Sequence, residues 1–448
     1  MNGFIVAGTN SGCGKTTVTI GLLKLLQNKG LRVAPFKTGP DFIDPMFHEF
    51  VSGSPSYNLD NVMQSDEVVQ YLFDKHSVNA DVAVVEGVMG LYDGLGTEGK
   101  GSAAEISRIL NMPVILVINC EAIYQSAAAI VLGYKCFNPQ VNIAGVILNR
   151  MSGEKHFRFL KDVIEVKTGI PCLGYISKNQ NYNIESRHLG LVQAEEIDDL
   201  SSKIDLLTKS IAETIDFEKL MEISVMEPAE KNDSQLELRY RQNLKGINLG
   251  VALDKAFRFY YRDNLQLLEE CGASISYFSP LTDKQIPENV NALYIGGGYP
   301  EVFARQLSDN KPLLQDIKAK AEMGMPVFAE CGGMMYLASA IALQDEEFPM
   351  SGVFNCKTRM TNRLQRFGYA DVTFNGATSR SHEFHHSVIE NDNEPNYYLC
   401  YDLQKPDTGD SWKCGLRYKN VLAGYAHIHF YSDPQFFAQI CSLWRQEL

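Results

Sequence analysis

The chain has no apolar run approaching 18 residues, and Met1-Asn2-Gly3 leads straight into an apolar segment, so neither a membrane span nor a signal peptide is expected. It is short of positive charge: 41 Lys and Arg stand against 54 Asp and Glu, a formal net charge of −13. That balance argues against nucleic acid as the main partner. It would also repel an acidic substrate at long range, so any such ligand needs a local basic site. The ten cysteines lack paired metal-ligand spacing and read as reduced thiols of a cytoplasmic protein, one of them inside a glycine-rich loop. What remains is a 448-residue chain, 45% hydrophobic and 21% charged, which suits a soluble protein of two or three domains.

The most informative stretch is Gly8-Thr9-Asn10-Ser11-Gly12-Cys13-Gly14-Lys15-Thr16-Thr17. It follows the apolar run Phe4–Ala7 and precedes a helical pattern in Val18, Ile20, Leu22, Leu23, Leu25 and Leu26. Strand, glycine-bearing turn, Lys-Thr and helix form the context of a nucleotide phosphate loop. Gly12 and Gly14 let backbone N–H groups face the phosphates, Lys15 reaches the outer oxygens, and Thr16, next to Thr17, offers a hydroxyl to Mg²⁺. The strict motif wants glycine at position 9, where this chain has Thr, with Gly8 one place earlier. This variant resembles the loop of dethiobiotin synthetase and related ligases more than that of GTPases. It predicts an ATP site.

Further strands are expected at 31–36, 82–85, 113–118, 143–148 and 171–175, separated by helices such as 64–73 and 103–110. This alternation predicts an α/β doubly wound parallel sheet with ligands at the strand carboxyl ends. At those ends lie Lys37, Asp41, Asp44 and Asn58-Leu59-Asp60, then Glu86 and Asp93, then Asn149. Lys37 could neutralise a transferring phosphoryl group; Asp41, Asp44 and Glu86 are candidate Mg²⁺ ligands. The alternative for the aspartates is a turn in which they cap backbone N–H groups. By analogy with related folds Asn149 would read an adenine edge. Arg187 and His188 suggest a basic pocket or a surface loop. The polar stretch 227–234 marks a linker, giving domains 1–224 and 245–448 around 225–244.

In the second half the βα rhythm restarts at Ile247. Gly296-Gly297-Gly298 after an apolar strand can expose N–H groups to an oxyanion. Val327-Phe328-Ala329-Glu330-Cys331-Gly332-Gly333 has the small neighbours of a nucleophile elbow, with the thiol at a helix N-terminus that would favour thiolate. A base is available in Tyr425-Ala426-His427-Ile428-His429.

Together these segments resemble the cobyrinic acid a,c-diamide synthases of corrinoid biosynthesis along essentially the whole chain. The likeness is carried by residues 8–17, 36–45, 58–60, 86–94, 187–191, 296–301, 329–337, 382–387 and 425–430. It implies a dethiobiotin-synthetase-like first domain joined to a class I glutamine amidotransferase domain. It also implies ATP and Mg²⁺ as cofactors, and glutamine and a corrinoid polycarboxylate as ligands. Cys331 would attack glutamine and His427 would move protons. The carboxylate usual two residues after that histidine is replaced by His429, so either histidine is open as the base. The histidines at 382, 385 and 386 could line a domain interface or satisfy a loop. Amidation of other side chains by a cobyric acid synthase stays open, as do hydrogenobyrinic acid or nickel-sirohydrochlorin as the macrocycle. So does a regulatory phosphate-loop ATPase with a docking domain, and a homodimer is left open.

Overall fold

The computed structural model describes residues 1–179, 200–226, 234–391 and 394–447 and divides into two units, Met1–Asp233 and Ser234–Leu448. The stretches 187–191, read as a basic pocket or a surface loop, and 227–233, read as linker, lie outside the described residues.

Seven apolar runs of the first unit form strands: β1 Asn2–Gly8, β2 Val33–Thr38, β3 Tyr57–Leu59, β4 Val82–Glu86, β5 Val114–Asn119, β6 Ile143–Met151 and β7 Cys172–Ser177. Helices α1 Lys15–Asn28, α2 Asp44–Ser52, α3 Asp66–Ser77, α4 Ala103–Ile109, α5 Ser126–Phe137 and α6 Glu154–Thr168 connect them; α7 Leu200–Thr214 and α8 Phe217–Ile223 follow. The sheet order is β3-β2-β4-β1-β5-β6-β7, with every pairing parallel. β4 is buried along its whole length, as its unbroken Val-Ala-Val-Val requires of a strand covered on both faces. The chain leaves β1 for one side of the sheet and later returns to the other. That reversal opens a crevice at the carboxyl end of β1, where the glycine loop lies.

The second unit begins inside the expected linker. Helix α9 Ser234–Tyr240 forms there because Leu236 and Tyr240, one helical turn apart, are buried; the Tyr240 hydroxyl donates to the Tyr431 carbonyl at 2.8 Å. Next come β8 Asn248–Ala252, β9 Phe257–Phe259, α10 Arg262–Glu270, β10 Ser274–Phe278, β11 Ala292–Ile295, β12 Gly297–Gly298, α11 Ala304–Asp309, α12 Lys311–Glu322, β13 Val327–Glu330 and α13 Gly332–Leu337. Then follow β14 Ala340–Leu343, β15 Glu346–Pro349, β16 Lys357–Met360, β17 Arg366–Phe374, β18 Ala377–His385, β19 Ser387–Glu390, β20 Tyr398–Gln404, β21 Ser411–Tyr418, β22 Val421–Gly424, β23 His427–Ile428 and α14 Pro434–Trp444. A ten-stranded sheet runs β10-β8-β11-β13-β22-β21-β20-β17-β18-β23. Its first five strands are parallel and the rest antiparallel. β13 lies in the parallel part, so its carboxyl end is again the natural place for a site.

Candidate active sites

In the first unit Gly12 and Gly14 hold φ of 78° and 97°, the left-handed region that side chains avoid. Gly14 must also be bare: a Cβ there would lie 2.0 Å from Asn149 Nδ2. The loop leads into α1 with Lys15 and Thr16 in its first turn and Thr17 half-buried beside them. Lys15 Nζ donates to the Asn10 carbonyl at 3.2 Å, and burial lowers the pKa of its ammonium. Asn149 Nδ2 donates to the Cys13 carbonyl at 2.8 Å and its Oδ1 accepts the Arg150 N–H at 2.8 Å, so the residue braces the phosphate loop.

Strand register brings the charged residues to this loop. Glu86 pairs with Val6 across β1 and β4 and with Lys37 across β2 and β4. The buried Lys37 ammonium donates to Asp44, to Glu86 Oε1 at 3.1 Å and to the Gly87 carbonyl at 3.3 Å, with Asp41 Oδ2 at 3.8 Å. Glu86 Oε1 also accepts from the Thr16 hydroxyl at 2.6 Å, and its Oε2 lies 2.7 Å from His48 Nε2. Burial alone would lower Lys37, but Asp44, Glu86 and Asp41 overcome it and hold the ammonium charged. Burial alone would raise Glu86; Lys37, His48 and Thr16 reverse it and keep the carboxylate ionised. Asp44 is pushed well above its usual range by burial and by Asp41 and Glu86.

Asp41 has two duties: its Oδ1 accepts the N–H groups of Ile43 and Asp44 at 2.8 and 3.1 Å, the capping alternative, while Oδ2 faces Lys37. Asn58 holds the carbonyls of Gly39 and Asp41, and Asp60 and Asp93 cap their own turns. Three carboxylates and a hydroxyl around one ammonium form a hard-oxygen donor set with excess negative charge, which fits Mg²⁺ at Thr16, Asp41, Asp44 and Glu86. Among the described residues no three acidic, histidine or cysteine side chains already form a metal cage.

In the second unit the chain turns sharply after β13. Cys331 has φ 48° and ψ −104°, a conformation rare for a side-chain-bearing residue, and its N–H donates to the Gly424 carbonyl at 2.7 Å. A Cβ at Gly333 would lie 2.1 Å from the Ile295 carbonyl, so only glycine lets α13 pass β11 this closely. A Cβ at Gly332 would lie 3.1 Å from the Gly298 nitrogen, and one at Gly297 would lie 2.5 Å from His427 Cε1. One glycine stretch thus touches both the thiol-bearing turn and His427. The Gly296 N–H is withdrawn from any oxyanion because it donates to the Tyr260 hydroxyl at 2.8 Å. The Gly298 and Gly332 amides remain beside the turn.

Two other expectations change. Burial, together with Glu301, Glu383 and Glu330, pushes the Cys331 thiol up, and the Gly332 N–H offsets this only in part. The six-residue helix behind it does not produce a resting thiolate. Burial, then His382 and His385, lowers His427 to about 3, so the pair is a neutral thiol and a neutral imidazole. His429 faces elsewhere: its Nδ1 accepts the Tyr431 N–H at 3.3 Å, its Nε2 is 3.7 Å from Asp263, and its ring packs on Tyr261. It belongs to the contact with α10, which leaves His427 as the base candidate. His382 is the register partner of His427, while His385 stacks on Tyr425.

Sequence reasoning missed His48, although it stands one helical turn after Asp44 and so shares its face. It also passed over Glu330, which read only as a neighbour of the cysteine.

Comparison with known proteins agrees with this layout. Residues 4–192 match a CobQ/CobB/MinD/ParA nucleotide binding domain and residues 248–435 a CobB/CobQ-like glutamine amidotransferase domain. The chain is 43% identical to a cobyrinate a,c-diamide synthase of Listeria innocua, over 98% of this chain and 99% of that protein. It is 42% identical to the synthase of the same name from Caldanaerobacter subterraneus, over 96% and 95%, and to that of Fusobacterium nucleatum, over 98% and 100%. Reading the second unit as a mere docking module is therefore set aside.

Proposed function

The chain belongs to the cobyrinate a,c-diamide synthase family, a family of glutamine-dependent amidating ligases, and on that premise we propose that it converts the a and c carboxylates of cobyrinic acid to amides. ATP activates each acid in the first unit and glutamine supplies ammonia in the second. The observation that carries the division of labour is the placement of Cys331 and His427 against one glycine stretch, while in the other unit Glu86 joins Lys37 to Thr16 of the phosphate loop.

A carboxylate is a poor electrophile, so its oxygen first attacks the γ-phosphoryl group, giving an acyl phosphate and ADP. Lys15 and Lys37 draw the charge spreading over the phosphoryl oxygens. Thr16, Asp41, Asp44 and Glu86 would hold Mg²⁺, which adds positive charge at those oxygens when bound. Asn149 keeps the loop in shape through the Cys13 carbonyl. Ammonia then adds to the acyl carbon and phosphate leaves, forming the amide.

The nitrogen is released at Cys331. Because the thiol starts protonated and His427 neutral, sulfur attack on the glutamine side-chain amide and proton transfer to the imidazole occur together. The Gly298 and Gly332 amides face the oxygen that gains charge. The imidazolium returns its proton to the departing nitrogen, ammonia leaves, and water activated by His427 cleaves the thioester to glutamate. All ten cysteines are free, which suits a cytoplasmic enzyme.

The test offers cobyrinic acid, hydrogenobyrinic acid and nickel-sirohydrochlorin with ATP and amide-¹⁵N glutamine. Mass spectrometry should find two labelled nitrogens in the product from cobyrinic acid. Label only in the nickel tetrapyrrole would overturn the substrate assignment.

A further inference from the structure

The triad carboxylate that normally orients the histidine is absent two residues after His427, yet the segment carrying His427 is held by other buried groups. We propose that Glu330, with Asn264, is the positioning device that replaces it, by fixing the backbone that follows His427 instead of the imidazole. This rests on the reading of Cys331 and His427 as the glutaminase pair.

β23 is only two residues long and, among the described residues, pairs only with β18, His427 opposite His382 and Ile428 opposite Ser381. So short a ladder cannot by itself hold a catalytic side chain to a fraction of an ångström. The Ile428 N–H and carbonyl and the Phe430 N–H end on two buried side chains. Glu330, 2% exposed at the end of β13 and adjacent to Cys331, accepts the Ile428 N–H on Oε1 at 2.7 Å. Its Oε2 accepts the Tyr294 hydroxyl from β11 at 2.7 Å. Asn264 of α10, fully buried, donates to the Ile428 carbonyl at 2.7 Å and accepts the Phe430 N–H at 2.7 Å.

One carboxylate therefore ties the strand of the nucleophile directly to the strand of the base. The residue type follows from the task. The side chain must cross from β13 to β23 and satisfy two donors at once. An apolar residue at 330 would leave the Ile428 N–H buried without a partner and the Tyr294 hydroxyl without its acceptor. Glu330 has both oxygens engaged, so it acts through the position of His427. A displacement of about 1 Å at a catalytic group costs on the order of 10²-fold in rate.

The experiment measures glutamine hydrolysis by the full chain carrying Glu330→Gln, Glu330→Ala, Asn264→Ala, Tyr294→Phe or Cys331→Ser. Gln keeps an oxygen for the Ile428 N–H, and its NH2 donates to the Tyr294 hydroxyl, which turns from donor to acceptor, so Glu330→Gln should hold kcat within about fivefold of the parent. Glu330→Ala and Asn264→Ala should each lose about 10²-fold in kcat while KM for glutamine stays within about threefold. ATP-dependent amidation driven by ammonium should persist in both and report a folded first unit, while the retained KM for glutamine reports a folded second unit. If Glu330→Ala fails to fold, Tyr294→Phe carries the test, with about a tenfold fall in kcat expected at unchanged KM. Full activity in Glu330→Ala or in Tyr294→Phe overturns the proposal. So does a Glu330→Gln enzyme as slow as Glu330→Ala, which would mean the carboxylate acts chemically. Hydrolysis surviving Cys331→Ser would instead refute the nucleophile assignment on which the proposal rests.

Discussion

At the tips of β1, β2 and β4 the first unit gathers Lys15, Lys37, Asp41, Asp44 and Glu86, whereas beyond β13 the second gathers Cys331, His427, Glu301, Glu330 and Glu383. Both sets are largely withdrawn from water, and burial acts on them in opposite ways. Lys37 and Glu86 stay ionised because each has a partner of opposite sign within 3.1 Å. Around the cysteine burial prevails: Glu330 rises to about 8, Glu301 and Glu383 to about 7, and His427 falls to about 3. A site that steadies phosphoryl oxygens needs standing charge. A site where a thiol attacks an uncharged amide gains from neutral partners that pass one proton between them.

That contrast can be broken in order of effect. Cys331→Ser should cut glutamine hydrolysis by about 10³-fold or more and leave ammonium-driven amidation intact; parallel rate measurements with the two nitrogen sources check it. Lys37→Met should lower ATP-dependent amidation by about 10³-fold and spare glutamine hydrolysis. It also strands Glu86 and Asp44 without their buried cation, so denaturant unfolding should show a loss of about 3–5 kcal/mol.

The third prediction concerns pH. Glu330, Glu301 and Glu383 have folded pKa values raised above 4.5, so the folded chain holds more protons than the unfolded chain up to about pH 7–8. Stability from these groups is therefore lost as pH rises from 4.5 towards 8. His427 and His385, lowered to about 3 and 4, act oppositely, but only below their unfolded value of 6.5. Between pH 6.5 and 8 these carboxyls are no longer opposed by His427 and His385, and stability should fall by up to about 1.4 kcal/mol per pH unit for each fully titrating group. Glu330→Gln should flatten that slope in thermal or denaturant melts. The smallest effect should come from Asn149→Ala, which frees the phosphate loop and should raise KM for ATP by about three- to tenfold, measured at saturating glutamine.

The parallel strands were legible because β4 and β5 are buried on both faces and read as unbroken Val, Ile, Ala and Leu. The elbow was legible because small residues flank Cys331. β3 escaped notice since Tyr57–Leu59 is too short to show a period. The polar contacts were hidden for a different reason: Glu330 meets Ile428, and Thr16 meets Glu86, only after register has joined strands distant in the chain. The bracing role of Asn149 was not legible because an asparagine at a strand tip suits loop bracing as well as base reading, and its bond to the Cys13 carbonyl forms only in the fold. Helix position suggested a thiolate at Cys331, but burial of the thiol, with Glu301, Glu383 and Glu330 adding to it, outweighs the helix end.

β23 closes the ten-stranded order, so His427 lies on the sheet's outermost rung. Such rungs invite a neighbouring molecule to dock and extend the sheet, with clumping as the result. Here a carboxylate and an amide already occupy the Ile428 backbone that an intruding strand would need. The groups that aim the histidine thereby also blunt the margin on which it sits.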